Sequence, residues 1–525
     1  MAADVIVVGA GHNGLIAAAL LALAGRQVEV LERNPAPGGA IATEELTLPG
    51  FRHDTFSGWH PQWLLSAAWE ELRGELEARG LRYVIGDLAA ATVGGDAEPV
   101  IAWRDRERTA GQLPAADREH YLEELAGFDR IAPRLGAFQE SDTRSRAAFG
   151  ALLALGARVR GPRGPELLGR VAGSAGDWFG GFEGDQVGRL WGPWTLHTGL
   201  GPADPGGGLR TLGLATALQE IGMPVVAGGS ANLVKALAET IEARGGAVRT
   251  SVEVDRVLVE GGRCVGVAAA GERYQAGEAV VANLTPTQLY DRLLGAEDLD
   301  PALRRAVRAY RYSRRAGMQI HLALAAPPRW REPALADVPM VHVADGLEAV
   351  RRACAEAEAG LVPACPTIAC GQHAAVDPSR VPTGKGLLWI QLLDLPSTPS
   401  GDAAGQVEAT GAWSTELAEA VADRVVEQLG AHIEGLEQSI LARSVISPAD
   451  LERRNPNLVG GDIYAGATDL AQSYFSRPFP GHSGHRTPVR GLYICGASTH
   501  PGPGLNGASG RIVARQILRR RRGRG

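Results

Sequence analysis

The stretch Asp4-Val-Ile-Val-Val-Gly9-Ala-Gly11-His12-Asn13-Gly14 constrains this chain more than any other. Val5 to Val8 is a continuous apolar run and predicts a strand buried on both faces. Three glycines follow at Gly-x-Gly-x-x-Gly spacing, and Ala17 to Ala24 reads as a helix. Each glycine has a physical task. Gly9 makes a tight turn, Gly11 lets backbone approach a pyrophosphate, and Gly14 lets the helix pack on the strand. His12 and Asn13 belong to this phosphate loop, where a helix N-terminus presents N–H groups and a positive dipole end. A second strand, Gln27 to Glu32, brings the Glu32 carboxylate to where it would take ribose hydroxyls. Strand, helix and strand in this order predict an α/β layer with a parallel sheet.

Arg33-Asn-Pro-Ala-Pro-Gly38-Gly39 adds a glycine pair just after the second strand. This resembles the flavoprotein version of the motif, in which a second Gly-Gly turn also nears the diphosphate, so FAD is read in preference to NAD. At 525 residues the chain exceeds one hydrophobic core, which predicts two domains. Net charge of −6 offers no reason to expect nucleic acid. The five cysteines show no CxxC spacing, so neither a metal site nor a redox disulfide is read, and a reduced, cytoplasmic setting is expected. With the nucleotide strand starting at Asp4, no signal peptide is expected, and no apolar run reaches the length of a membrane span.

Farther along, residues 62 to about 160 read as mostly helical, with Trp63, Leu64, Leu65, Trp69 and Leu72 at helical spacing. The basic, amphipathic run from Phe149 to Arg160 is read as a substrate-domain helix, with peripheral membrane contact the alternative. Ser230 is placed as the N-cap of a helix with Leu233, Leu237 and Ile241 on one face. Strands are expected at Ala247 to Thr250, Val252 to Val259, Cys264 to Ala269 and from Ala279. Further strands are read at Met318 to Leu324, Met340 to Val343 and Leu387 to Leu395, and a helix at Thr415 to Leu429. The closing Gly491-Leu-Tyr-Ile-Cys495-Gly496-Ala497 leads into a glycine-rich loop through Gly502, Gly504, Asn506 and Gly507. A helix to Leu518 and a disordered basic tail, Arg519 to Arg524, are expected after it.

The segments GAGHNGL with Glu32-Arg33 and Gly38-Gly39, AGGSANLVKAL, and GLYICGASTHPGPGLNGASGR resemble those of the phytoene desaturase-like FAD-dependent oxidoreductases. Phe475-Ser-Arg-Pro-Phe-Pro-Gly-His482-Ser483-Gly484 is similar to a stretch of the pyridine nucleotide-disulfide oxidoreductase domain-containing protein 2 branch. The resemblance implies a discontinuous Rossmann-like FAD-binding domain (1–60, 222–290 and 455–525) and an α+β substrate domain (61–221 and 291–454). It implies Gly9, Gly11 and Gly14 at the pyrophosphate, Glu32 at the ribose, and Gly38 and Gly39 near the diphosphate. Val254 would meet adenine, while Gly496, Ala497, Gly504 and Gly507 would line the ribityl chain and flavin. Where many flavoproteins place an acid, this chain has Ser498 and Thr499.

The activity implied is hydride transfer from an apolar, conjugated or lipid-like C–C bond to flavin. A small hydrophobic substrate is the expected partner, and oligomeric state is left open. Candidates beside the ring are His500, His60 and Trp59, each weighed against a purely structural role. Two alternatives stand beside this reading: amine oxidase-like C–N oxidation, and a non-catalytic interaction protein stabilised by FAD.

Overall fold

In a computed structural model of the protein, residues 3–95, 97–159 and 164–522 are described. The strand Ala3–Val8 pairs in parallel with Val28–Leu31 on one side and with Glu272–Ala282 on the other. Ala247–Arg249 adds to the first side, and Leu492–Ile494 lies parallel to the second. Val254–Glu260 and Arg263–Ala269 extend the sheet as an antiparallel meander that runs into Glu272–Ala282. This seven-stranded sheet thus draws on residues 3–31, 247–282 and 492–494. Val5 to Val7 are fully buried, as strands covered on both faces require.

A second seven-stranded sheet has the order Ile440–Ile446, Arg315–Leu324, Gly386–Pro396, Ile368–Gly371, Met340–Val343, Leu88–Gly94 and Ala97–Trp103. Its two faces differ in chemistry. Met318, Ile320, Leu322 and Leu324 alternate with Gln319 and His321, while Leu388, Ile390 and Leu392 alternate with Trp389 and Gln391. The aliphatic set packs with Leu417, Val421 and Val425 of the helix Thr415–Gly430 in one core. The other set faces away from that core.

Four expectations are corrected. The first helix spans His12–Leu23 rather than beginning at Ala17, because the glycine turn itself is its N-terminus. The region read as mostly helical contains the hairpin Leu88–Gly94 and Ala97–Trp103. Its alanine-rich first strand carries little β signal, and Pro99 is tolerated because the second strand is an edge. Ser230 does not cap its helix through its side chain. Thr43 Oγ1 instead accepts the Ala231 N–H at 3.0 Å, while Ser230 N donates to Asp54. The final helix runs Ala508–Arg522, through much of the tail read as disordered, and Gly523 to Gly525 lie outside the described residues.

Of the amphipathic run, Arg160 lies outside the described residues; Phe149 and Leu153 are exposed on the helix Arg146–Val159. Among the described residues no helix is long and apolar enough to cross a membrane.

A buried ionic clamp fastens the two sheets' surroundings together. Asp54 accepts from Thr43 Oγ1 (2.6 Å), Ser230 N (2.8 Å) and Arg380 Nη2 (3.0 Å). Asp377 accepts from Arg380 Nε (2.9 Å) and Gly228 N (2.7 Å). Burial alone would raise the Asp54 pKa, but the Arg380 guanidinium, with His373 and the hydrogen bonds, holds it below the ordinary value. A group with a depressed folded pKa contributes stability above its unfolded pKa and loses it as pH falls through the folded one. Asp54→Asn is therefore expected to cost about 3–5 kcal/mol near neutral pH. Thermal midpoints of parent and variant should begin to converge as pH falls below the ordinary aspartate value of about 3.9 and converge fully only below the lower folded value. A gap that stays constant from neutral to acid pH would show that the Asp54 charge does not stabilise the fold.

Candidate functional site

The end of the first strand and the start of the first helix come together with no side chains between them. Gly9 has φ of +91°, a left-handed value that suits glycine. A Cβ built on Gly14 would stand 2.4 Å from the Gly9 carbonyl oxygen, so the third glycine is a packing residue, as expected. A Cβ on Gly11 would stand 2.7 Å from Asn283 Nδ2. Asn283 ends the neighbouring strand. Its N–H donates to Val8 O at 2.8 Å, and its side chain reaches Gly9 O at 3.3 Å. The Asn283 oxygen also lies 3.1 Å from where a Cβ on Gly496 would be. This asparagine joins the N-terminal turn to the C-terminal one and was not among the sequence candidates. Its position directly after an apolar strand parallel to the first was the available signal.

A cavity of about 880 Å³ opens from this junction. It is lined by Gly9, Gly11, His12, Asn13, Glu32, Arg33, Gly39, Val254, Gly496, Ala497, Gly504 and Asn506, all sequence candidates. Gly14, Gly38 and Gly507 do not line it. Gly507 instead packs against Ile16, Trp63 and Ala68, where a Cβ would come within 2.8–3.0 Å. Gly38 N donates to Ala10 O at 2.9 Å, so it fixes the second turn from behind.

Glu32 is buried, and its two carboxylate oxygens accept from Ala10 N (2.8 Å) and Asn34 N (2.9 Å). It therefore ties the first glycine turn to the second strand, whatever else it holds. Asn13 accepts from Gly510 N at 3.3 Å, and Asn506 Oδ1 accepts from Ala508 N at 3.0 Å. Both orient the N-terminus of the last helix. Ser498 and Thr499 donate to Ala465 O and Gly496 O, each at 2.8 Å, so these hydroxyls hold loops.

The catalytic candidates fare differently. His500 does not line the cavity. Its Nε2 lies 3.2 Å from Phe138 O and its ring meets Phe138 edge-on, a structural histidine held neutral by burial. His60 does reach the cavity, but its ring nitrogens contact Tyr83 Oη (3.0 Å) and Ser230 Oγ (3.3 Å). Desolvation by burial pushes its pKa down to about 4. Trp59 lines the cavity and stacks on His373 at 4.3 Å, presenting an apolar wall.

Two further groups escaped sequence reasoning. Arg477 is buried, and among the described residues no carboxylate is bonded to it. It donates to Ala497 O (2.8 Å), Ala467 O (2.9 Å), Gln472 O (3.2 Å), Tyr464 O (3.0 Å) and Gly466 O (3.4 Å). It thus organises the loop that carries Ala497. The other group is the inner wall made by Gln319, Met340, Trp389 and Gln391 of the second sheet, with Trp194 and His197 beside it. Glutamines that alternate with aliphatic residues inside fully buried strands were the signal for this wall.

The cavity suits a dinucleotide. The first helix has an extended Gly11 at its N-cap, no side-chain cap and no acidic residue in its first turn, leaving its N-terminus to an anion. Gly11→Val is expected to leave the protein without bound dinucleotide, since the added atoms collide with Asn283 and fill the phosphate approach. Absorbance of the purified variant checks this; a variant that retains bound nucleotide at parent stoichiometry would contradict it.

Residues 7–72 match the NAD(P)-binding Rossmann-like domain family. Pyridine nucleotide-disulfide oxidoreductase domain-containing protein 2 of Rattus norvegicus is 28% identical, aligned over 98% of this chain and 93% of its own length. Hydroxyneurosporene desaturase of Rubrivivax gelatinosus is 26% identical over 98% of this chain and 93% of its own. The solved structure of putrescine oxidase bound to putrescine superposes with a TM-score of 0.62 at 16% identity, covering 99% of both chains, and so shares the fold. Matched from end to end, the chain is a homologue of pyridine nucleotide-disulfide oxidoreductase domain-containing protein 2 and of hydroxyneurosporene desaturase, carries a Rossmann-like nucleotide-binding segment, and shares the fold of putrescine oxidase.

Proposed function

We propose that this protein is an FAD-dependent desaturase or dehydrogenase acting on an apolar, conjugated or lipid-like C–C bond. The observation that carries the reading is the continuity of one cavity. The glycine-lined nucleotide turn and an aromatic, largely apolar wall open into the same space. Gly9, Gly11, Gly39 and the first helix would hold the diphosphate, Glu32, Arg33 and Val254 the adenosine, and Gly496, Ala497, Gly504 and Asn506 the flavin end. When bound, FAD supplies the hydride acceptor for an unactivated C–H bond.

The chain's own residues bind, orient and keep water out. Trp59, Trp194 and Trp389 supply large apolar surfaces, and the Trp389 indole is locked by donation to Phe56 O at 3.1 Å. Amine oxidase-like C–N oxidation is the second reading, favoured by the shared fold with putrescine oxidase. The carboxylates that line the cavity do not favour an ammonium. Glu32 is bonded to backbone, Asp129 to Arg106, and Glu140 to Ala67 N with Arg511 beside it, while Glu253 lies within 4 Å of Arg33 and Arg292 and Glu220 is exposed.

The purified protein is expected to be yellow, with flavin absorbance released on denaturation. A folded, colourless protein that takes up no added FAD would refute the reading. Asn506→Asp preserves the helix cap, since aspartate caps as well as asparagine. It places negative charge where reduction would add more, so the flavin potential should fall while FAD stays bound. Spectroelectrochemical titration of both proteins decides this, and an unshifted potential would remove the C-terminal loop from the flavin site.

A further inference from the structure

The wall of the cavity formed by the second sheet carries polar groups that hydride transfer does not use. Backbone register aligns Thr92 with His342, His342 with Ala369, Ala369 with Gln391, and Gln391 with Gln319. Residues aligned in this way share a face, with neighbouring strands about 4.8 Å apart. The amides of Gln391 and Gln319 therefore stand side by side, and the small Ala369 leaves room next to them. Gln319 is 2% and Gln391 9% exposed, and both line the cavity. Neither side chain has a hydrogen-bond partner among the described residues, and Gln319 Oε1 is wholly enclosed without a donor.

An enclosed amide oxygen without a donor is costly, and leucine at position 319 would have no such cost, while the Gln391 amide lines the cavity with no protein partner among the described residues. The aliphatic face of the same strands buries Met318, Ile320, Leu388 and Ile390, while the face that carries Gln319 and Gln391 also carries His321 and Trp389. The row also holds His342, whose Nε2 lies 3.0 Å from Nε2 of His197, itself in the cavity wall. Burial pushes the pKa of His197 down to about 4 and that of His342 well below its ordinary value, leaving both neutral at physiological pH. No carboxylate or guanidinium belongs to the row. We infer that the substrate carries an uncharged oxygen function, a hydroxyl or carbonyl, received by the paired amides of Gln319 and Gln391. This names a substrate class for the function proposed above and rests on that reading for the sheet end of the cavity being the substrate end.

The test uses the full-length protein as purified and three probes of one carbon skeleton: limonene, perillyl alcohol and perillylamine. Binding is followed by quenching of tryptophan fluorescence, since Trp59, Trp194 and Trp389 line the cavity. The alcohol is expected to bind about tenfold tighter than the hydrocarbon or the amine, the scale of one well-made buried hydrogen bond. In the Gln319→Leu/Gln391→Leu double variant this preference should disappear, with limonene bound as tightly as by the parent or more so. Equal binding of the three probes by the parent, including no binding, overturns the inference, as does an alcohol preference that survives the double substitution. Should the double variant not fold, Gln391→Met alone should reduce the preference several-fold, and an unchanged preference overturns it equally. Flavin absorbance of the same samples separates the two proposals. A yellow protein without alcohol preference sinks this one alone, and a colourless protein with the preference sinks the FAD reading alone.

Discussion

The site depends on backbone segments approaching one another where no side chain fits. Gly14 must be bare for the helix His12–Leu23 to reach the Gly9 carbonyl, and Gly11 must be bare to clear Asn283. Gly39 lies as close, since a Cβ there would stand 2.9 Å from Gly11 Cα. Any Cβ at these points would force strand, helix and second turn apart and fill the approach to the helix N-terminus. Asn283 uses this economy of space: one amide bridges the N-terminal turn and the strand end beside Gly496. The nucleotide turn is thereby rigid before anything binds, which lowers the ordering cost of binding.

The second constraint is the two-faced sheet. Its aliphatic face packs in a core with the helix Thr415–Gly430, and its other face is free to become a wall of the cavity. That wall can serve a site only if its position relative to the glycine turns is held. The Asp54–Arg380–Asp377 clamp supplies this, because its acceptors collect N–H groups of Gly228 and Ser230 while Arg380 belongs to the part of the chain that builds the second sheet. A buried ion pair is a poor source of net stability but a directional one. Here it fixes how two apolar bodies face each other, a relation that non-directional burial leaves loose.

How much of this was legible in the chain depends on the range of the interaction. The glycine turn, Glu32, the aliphatic face of Ala231–Glu242 and the strands at Met340–Val343 and Gly386–Pro396 follow from local spacing. Periodicity and turn chemistry are written within a few residues, so they can be read without the fold. Ser230 holds the N-cap position as placed, but its hydroxyl does not cap, because a residue distant in sequence, Thr43, supplies the oxygen. The choice between a structural and a chemical role for His500 was not legible locally, because a histidine's use depends on what meets its ring, here Phe138.

By itself, then, the sequence determined a Rossmann-like nucleotide turn, mixed α/β architecture and the identity of most residues around the cavity's nucleotide end. Those depend on steric rules acting between near neighbours. Only the tertiary structure decided that Gly507 packs the last helix instead of lining the site, that Arg477 stabilises the Ala497 loop, and that Gln319 and Gln391 stand together in the wall. Each depends on strand register or on a partner far along the chain. A one-residue slip of either strand would turn its glutamine into the aliphatic core, and local pattern alone does not specify which strands meet.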